Sequence, residues 1–228
     1  MDTSGNSLPS PSCPDGKKRE VCYYYDAGIA NVDYGEDHNM VPRRVDMAHA
    51  LVRSYGLLHD MKRLLTRPAS DAEIRIFHEA DYRYAGGSLA AARALGSGKA
   101  DIAINWSGGM HHACEAEASG FCFVNDIVLA IRRSSSTYVD IDVHHGDGVE
   151  TAFLDSNQVM TVSFHQRTKK FFPEERGYVS HVGEGAGQYR ALNVALMEGV
   201  ADEGYCEMFK TIMKRVVDVF QASSRRPS

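Results

Sequence analysis

No stretch of this chain stays apolar for the roughly 20 residues that a membrane-spanning helix needs, although 43% of its 228 residues are hydrophobic. Paired cysteines are missing as well. Cys13, Cys22, Cys114, Cys122 and Cys206 are odd in number and show no CxxC spacing, which argues against a disulfide framework and against a cysteine zinc site. Cys22 and Cys122 are expected to be buried thiols. Met1–Arg19 is rich in Ser, Pro and Gly and has no apolar core of the signal-peptide kind, so a nuclear or cytosolic location is the expectation. Positive charge is not in excess. The net charge of −5 disfavours binding to nucleic acid and is compatible with a basic partner.

The pattern along the chain is α/β. Residues 1–19 and 222–228 read as polar tails around a domain over 20–221, and Lys17-Lys18-Arg19 reads as a solvated flank. Val21–Tyr25, Asp101–Trp106, Tyr138–His144, Gln158–Phe164 and Ala191–Leu196 read as strands, being short, β-branched or aromatic, and bounded by turn residues. Helices are expected after Pro42 (stripe Val45, Ala48, Val52, widened by Met47, Leu51 and Tyr55), after Ser70 with Glu73 as its capping-box partner, and over Leu89–Leu95 with Ser88 as cap. Further helices are expected over Val124–Arg132, around Val149–Leu154, and after Asp202, where Tyr205, Met208, Phe209, Ile212, Val216, Val217 and Phe220 recur at helical spacing. Strands alternating with helices predict a mostly parallel sheet flanked by helices on both faces in three layers. That fold looks incomplete, because a helix with so strong an apolar stripe calls for a returning strand.

In such sheets the functional groups gather past the carboxyl ends of the strands. Two clusters fall there: His111-His112, after the third helix and its following strand, and Asp140, Asp142, His144, His145 and Asp147. Carboxylates set side by side cost several kcal/mol to bury unless a cation or hydrogen-bond donors hold them. Asp142 and His144 offer an oxygen and a nitrogen suited to zinc. His111 and His112 are candidates for general base and general acid, and Asp140 and Asp147 for the carboxylates that orient them.

These residues carry a resemblance. His111-His112-Ala113, Glu117–Cys122 and Asp140–Gly148 resemble class I zinc-dependent histone deacetylases, as do Val21–Asp26, Asn105-Trp106 and Met160–His165. The resemblance implies an arginase/deacetylase-like fold, with Asp142 and His144 as zinc ligands and His111 and His112 as the proton-handling pair. It implies that Asp140 supports His111 and that Asp147 supports His112. It also implies that Gly120, Phe121 and Phe172 wall a narrow acetyl-lysine tunnel. Asp140, Asp142, His144, Ser163 and Phe164 would form a monovalent-cation site, for K+, largely through main-chain oxygens. The implied reaction is zinc-dependent hydrolysis of acetyl-lysine on histone tails or other proteins, inside a corepressor complex, with repression of transcription.

The departures carry equal weight. The family's third zinc ligand and its catalytic tyrosine would both lie beyond Phe220, and several dozen family residues are missing between Tyr82 and Gly86. Gln166–Lys170 replaces an aromatic, glycine-containing turn, and Val41 replaces a lysine that contributes to inositol phosphate binding in relatives. His165, His181 and Glu184 are the candidates to complete the zinc shell, without support from any motif. Three readings follow: an active deacetylase, an inactive member that only binds or competes for partners, and a hydrolase of acetylated polyamines.

Overall fold

A computed structural model of the protein describes residues 18–31, 41–77, 85–132 and 135–220. The tail readings for 1–17 and 222–228, and the position of His78, lie outside them.

Among the described residues, six strands form two sheets. β1 (Val21–Tyr24), β2 (Lys62–Leu64) and β3 (Ile102–Asn105) pair in the order β2-β1-β3, all parallel. β4 (Ser136–Asp140), β5 (Val159–Gln166) and β6 (Ala191–Leu196) pair in sequence order, again all parallel. The α/β architecture is thus the one expected, but the single sheet is two. Among the described residues β3 and β4 are each edge strands.

The helices follow local rules. α1 covers Arg43–Ser54, directly after Pro42, where proline's fixed φ suits a helix start. Its expected apolar stripe packs poorly: Met47, Leu51 and Tyr55 are exposed and no residue of the helix is buried. α2 (Asp71–Ile74) opens on the expected capping box of Ser70 and Glu73, and Glu73 also binds Arg67 and Arg93. α3 (Gly86–Gly96) starts two residues before Ser88, so Ser88 is not its cap; its hydroxyl donates to Asp126 at 2.5 Å instead. α4 spans Asp126–Ile131 and α5 spans Asp147–Ala152. α6 (Asp202–Val219) begins with Ala201 at the cap position, so Asp202 lies inside its first turn. None of these helices is long and apolar enough to cross a membrane.

Two apolar clusters support the site-bearing sheet. Ile74, Phe77, Leu89, Val124, Val128, Leu129, Val149, Phe153 and Val159 form one, drawn from α2, α3, α4 and α5, the loops beside them and the start of β5. The α6 stripe builds the other: Tyr205, Met208, Phe209, Ile212 and Val216 cover Met160, Val162, Phe164 and Val194. Val217 is the exception and faces outward.

The strand read as Tyr138–His144 ends at Asp140. Ile141 and Val143 do alternate with polar residues, yet both are exposed. The Asp142 amide donates to the Asp140 carboxylate at 3.0 Å, and this local bond interrupts the ladder at 141–142, although the Val143 carbonyl again accepts from the Gln166 amide of β5 at 2.9 Å. The carboxylate cluster therefore runs from the last residue of β4 (Asp140) through a loop (Asp142) to the first residue of α5 (Asp147). Trp106, expected on the face of β3, likewise falls one residue past that strand and is exposed.

Candidate active site

The carboxyl ends of β3 and β4 meet through two histidine–aspartate dyads. His111 Nδ1 lies 2.7 Å from Asp140 Oδ2, and His112 Nδ1 lies 2.7 Å from Asp147 Oδ1. All four side chains are buried. An ionised carboxylate only accepts, so each imidazole donates through Nδ1 and presents Nε2 as its free nitrogen. The two rings sit 3.9 Å apart. The pairings are those that the resemblance implies.

Local hydrogen bonds hold this arrangement. The Asp126 carboxylate, at the start of α4, accepts from the Gly109 amide at 3.1 Å and the Met110 amide at 2.9 Å. Asn125 caps α4 by accepting from the Val128 amide at 3.1 Å, and its amide nitrogen donates to the Ala113 carbonyl at 3.0 Å. The loop carrying both histidines is thereby pinned at each end. Asn125 and Asp126 were not singled out in the sequence, although an Asn-Asp pair within the apolar run from Phe121 to Ile131 signals buried polar work. Tyr138 was missed in the same way: its hydroxyl donates to Asp140. Burial and then the Asp140 charge hold that phenol far above its usual pKa, so it remains a donor.

Burial would lift the Asp140 carboxyl, but hydrogen bonds from His111, Tyr138 and the Asp142 amide, with the His111 charge, leave its pKa lowered. Burial also opposes protonation of His111, and the carboxylates of Asp140, Asp142 and Asp147 outweigh it, leaving that pKa raised. Each partner thus favours the charged form of the other. Asp147 also has a cationic neighbour to which no sequence pattern points, the Arg176 guanidinium at 3.7 Å.

Asp142 and His144 sit in a different environment. Asp142 Oδ1 lies 3.0 Å from His144 Nδ1 and also accepts the His144 amide at 2.8 Å, yet the side chains are 50% and 38% exposed. An oxygen and a nitrogen so close together suit a borderline metal. A catalytic zinc takes three protein ligands, and no group of three or more His, Cys, Asp or Glu side chains able to hold a metal occurs among the described residues. The donors present fit two positions of such a site and do not complete it.

The candidates weighed to complete it are engaged elsewhere. His165 is buried, with Nδ1 at 2.9 Å from Ser163 Oγ and Nε2 at 3.0 Å from the Gly177 carbonyl. His181 and Glu184 line a separate cleft of about 610 Å3 that includes neither Asp142 nor His144.

Aromatic rings frame the dyads. Phe172 meets the His112 ring edge-on at 4.9 Å, and Phe171, also not singled out in the sequence, stacks on His144 at 5.2 Å. Gly120 has φ +56°, and a Cβ there would lie 2.9 Å from His112 and 3.4 Å from Phe172. Only glycine admits that approach. Gly120, His112, His144 and Phe172 thus come together, with half-exposed Phe121 next along the chain. Ser163 and Phe164 are buried in β5, and Ser163 is the register partner of Asp140.

The histone deacetylase domain, as a family model, matches residues 82–223. The chain belongs to the histone deacetylase family. It is 44% identical to histone deacetylase 19 of Arabidopsis thaliana, over 97% of this chain and 52% of that protein. It is also 44% identical to histone deacetylase 1 of Oryza sativa subsp. japonica (97% and 51%) and 40% identical to histone deacetylase 1 of Bos taurus (92% and 52%). The chain therefore spans about half the length of these relatives. The Arabidopsis alignment runs over 265 positions against a chain of 228 residues, so the relative holds residues inside the matched stretch with no counterpart here.

Proposed function

We propose that this chain carries the substrate- and proton-handling part of a zinc-dependent protein-lysine deacetylase centre. The observation that carries this reading is the pair of buried histidine–aspartate dyads, ring beside ring, at the rim that also bears Asp142 and His144. Phe172, Gly120 and Phe121 wall the approach for the apolar stem of an acetylated lysine. The free Nε2 of His111 and of His112 stand where a proton is taken from water and returned to the leaving amine, and Asp140 and Asp147 stabilise the imidazolium formed. Zinc, held by Asp142, His144 and a third ligand from outside the described residues, would supply Lewis-acid activation of the acetyl carbonyl and of water. K+ is proposed at the main-chain oxygens of Asp140, Asp142, His144 and Phe164 together with Ser163, supported by the register that sets Asp140 beside Ser163. Acetylated histone tails, a corepressor complex and a nuclear location belong to the same proposal.

A second reading, an inactive member that binds acetylated partners, is favoured by the two-donor metal site. Titration with a histone-tail peptide, acetylated and unacetylated, tests the first part. The acetylated form should bind more tightly, and Phe172→Ala or His112→Ala should remove the preference. Equal binding of both peptides would defeat it. Hydrolysis of the same peptide by the isolated chain, sensitive to chelation, would exclude the binding-only reading.

A further inference from the structure

Phe171 and Phe172 mark the mouth of the site, the first stacked on His144 and the second edge-on to His112. The segment that carries them changes the sign of its charge across the two rings. Lys169-Lys170 precedes them and Glu174-Glu175 follows Pro173. All four charged side chains are exposed, and neither lysine makes an ion pair among the described residues.

Bonds at both ends give this polarity a fixed direction. On the lysine side, the Gln166 amide donates to the Val143 carbonyl at 2.9 Å and the Arg167 amide to the Leu196 carbonyl at 2.8 Å. The Phe171 amide then closes a turn onto the Thr168 carbonyl at 3.1 Å, which sets both lysines on the His144 flank. On the other side, the Glu175 carboxylate accepts from the Tyr178 hydroxyl at 2.6 Å, and Arg176 approaches Asp147 at 3.7 Å. The loop after His112 adds to this acidic flank. The Cys114 thiol donates to the His112 carbonyl, the Cys114 amide donates to the Glu117 carbonyl at 2.9 Å, and the Glu115 and Glu117 side chains are exposed. The opposing charges are engaged elsewhere: Asp142 with His144 on the basic flank, Arg176 with Asp147 on the acidic one. Glu198, exposed two residues past the Leu196 anchor, tempers the Arg167 end.

We infer that this divided lip selects the residues flanking an acetylated lysine, acidic side chains on the Lys169–Lys170 side and basic ones on the Glu174–Glu175 side. The inference rests on the acetyl-lysine reading proposed above. An extended peptide advances about 3.3–3.6 Å per residue, so the lip meets side chains near the acetylated lysine on both sides of it. Exposed charge pairs add little affinity singly, but like charges on the wrong side repel, and this fixes register and rejects wrong partners. A uniformly basic tail is repelled at Lys169-Lys170, whereas a peptide of mixed sign satisfies both flanks.

Two acetyl-lysine peptides of identical composition test this. One carries two glutamates before the acetylated lysine and two arginines after it, and the other carries the reverse order. A neutral-flanked peptide, acetylated and unacetylated, accompanies them. By fluorescence anisotropy at low salt, one order should bind the 228-residue chain about fivefold tighter than the other. The gap should close near ~1 M salt, where charges act over only about 3 Å. Lys169→Glu with Lys170→Glu, at an unchanged circular dichroism spectrum, should erase the preference. Lys210→Glu with Lys214→Glu, the same change of net charge on exposed residues of α6, should leave it in place. Equal binding of the two orders, or a preference that survives the Lys169 and Lys170 changes, would overturn the inference while leaving any acetyl dependence of the neutral peptide intact. An order preference without acetyl dependence would uphold the divided lip and overturn the acetyl-lysine reading.

Discussion

The two dyads and the Asp142–His144 pair lie at the same rim but differ in how the protein holds them. His111–Asp140 and His112–Asp147 are bonded at 2.7 Å, and every side chain in them is under 10% exposed. The Asp142–His144 contact is 3.0 Å long, and its partners are 38–50% exposed. Proton handling needs only donors, acceptors and burial, all of which this half of the rim provides. A metal shell needs converging ligands, and here two donors converge on each other.

Mutational costs measure that difference directly. The largest expected effect is Asp140→Ala, which strands a buried imidazole, the Tyr138 hydroxyl and the Asp142 amide; urea unfolding should show a loss of about 3–5 kcal/mol. Asp147→Asn keeps an acceptor but loses the charge facing His112 and Arg176, for a loss of about 1.5–3 kcal/mol by the same measurement. Glu73, outside the site, calibrates a partly exposed carboxylate. Hydrogen bonds from Arg67, then the Ser70 amide, hold its pKa far below the usual range. Its stabilisation is therefore complete above the unfolded value near 4.5 and is lost as pH falls through the lower folded value. Glu73→Gln should cost about 1 kcal/mol at neutral pH, with the gap to the parent shrinking steadily on acidification below that value. Smallest is Asp142→Ala, at most about 1 kcal/mol, because an exposed pair contributes little. A cost for Asp142→Ala that matches Asp140→Ala would erase the distinction between the two parts of the rim.

The same contrast marks what the sequence made legible. The parallel α/β pattern, the α6 stripe and the capping box at Ser70 were readable because each rests on local periodicity or spacing. The dyad pairings were readable through the family resemblance of Asp140–Gly148. The end of β4 was not, since alternation continues through Ile141 and Val143 while a side chain-to-backbone bond at Asp142 breaks the ladder. Asn125, Asp126, Tyr138 and Arg176 act through partners far away in sequence, and no spacing rule points to such contacts. The division into two sheets was equally hidden, because strand order depends on long-range pairing that individual strand patterns do not encode.

Zinc stoichiometry tests the division of the rim most directly. The purified chain is incubated with excess Zn2+, passed over a desalting column, and its metal content measured by mass spectrometry. A two-donor site predicts retention of well below one equivalent, little changed by Asp142→Ala or His144→Ala. One tightly held zinc per chain, lost in both variants, would show that this chain completes the metal site by itself and would contradict the distinction drawn here.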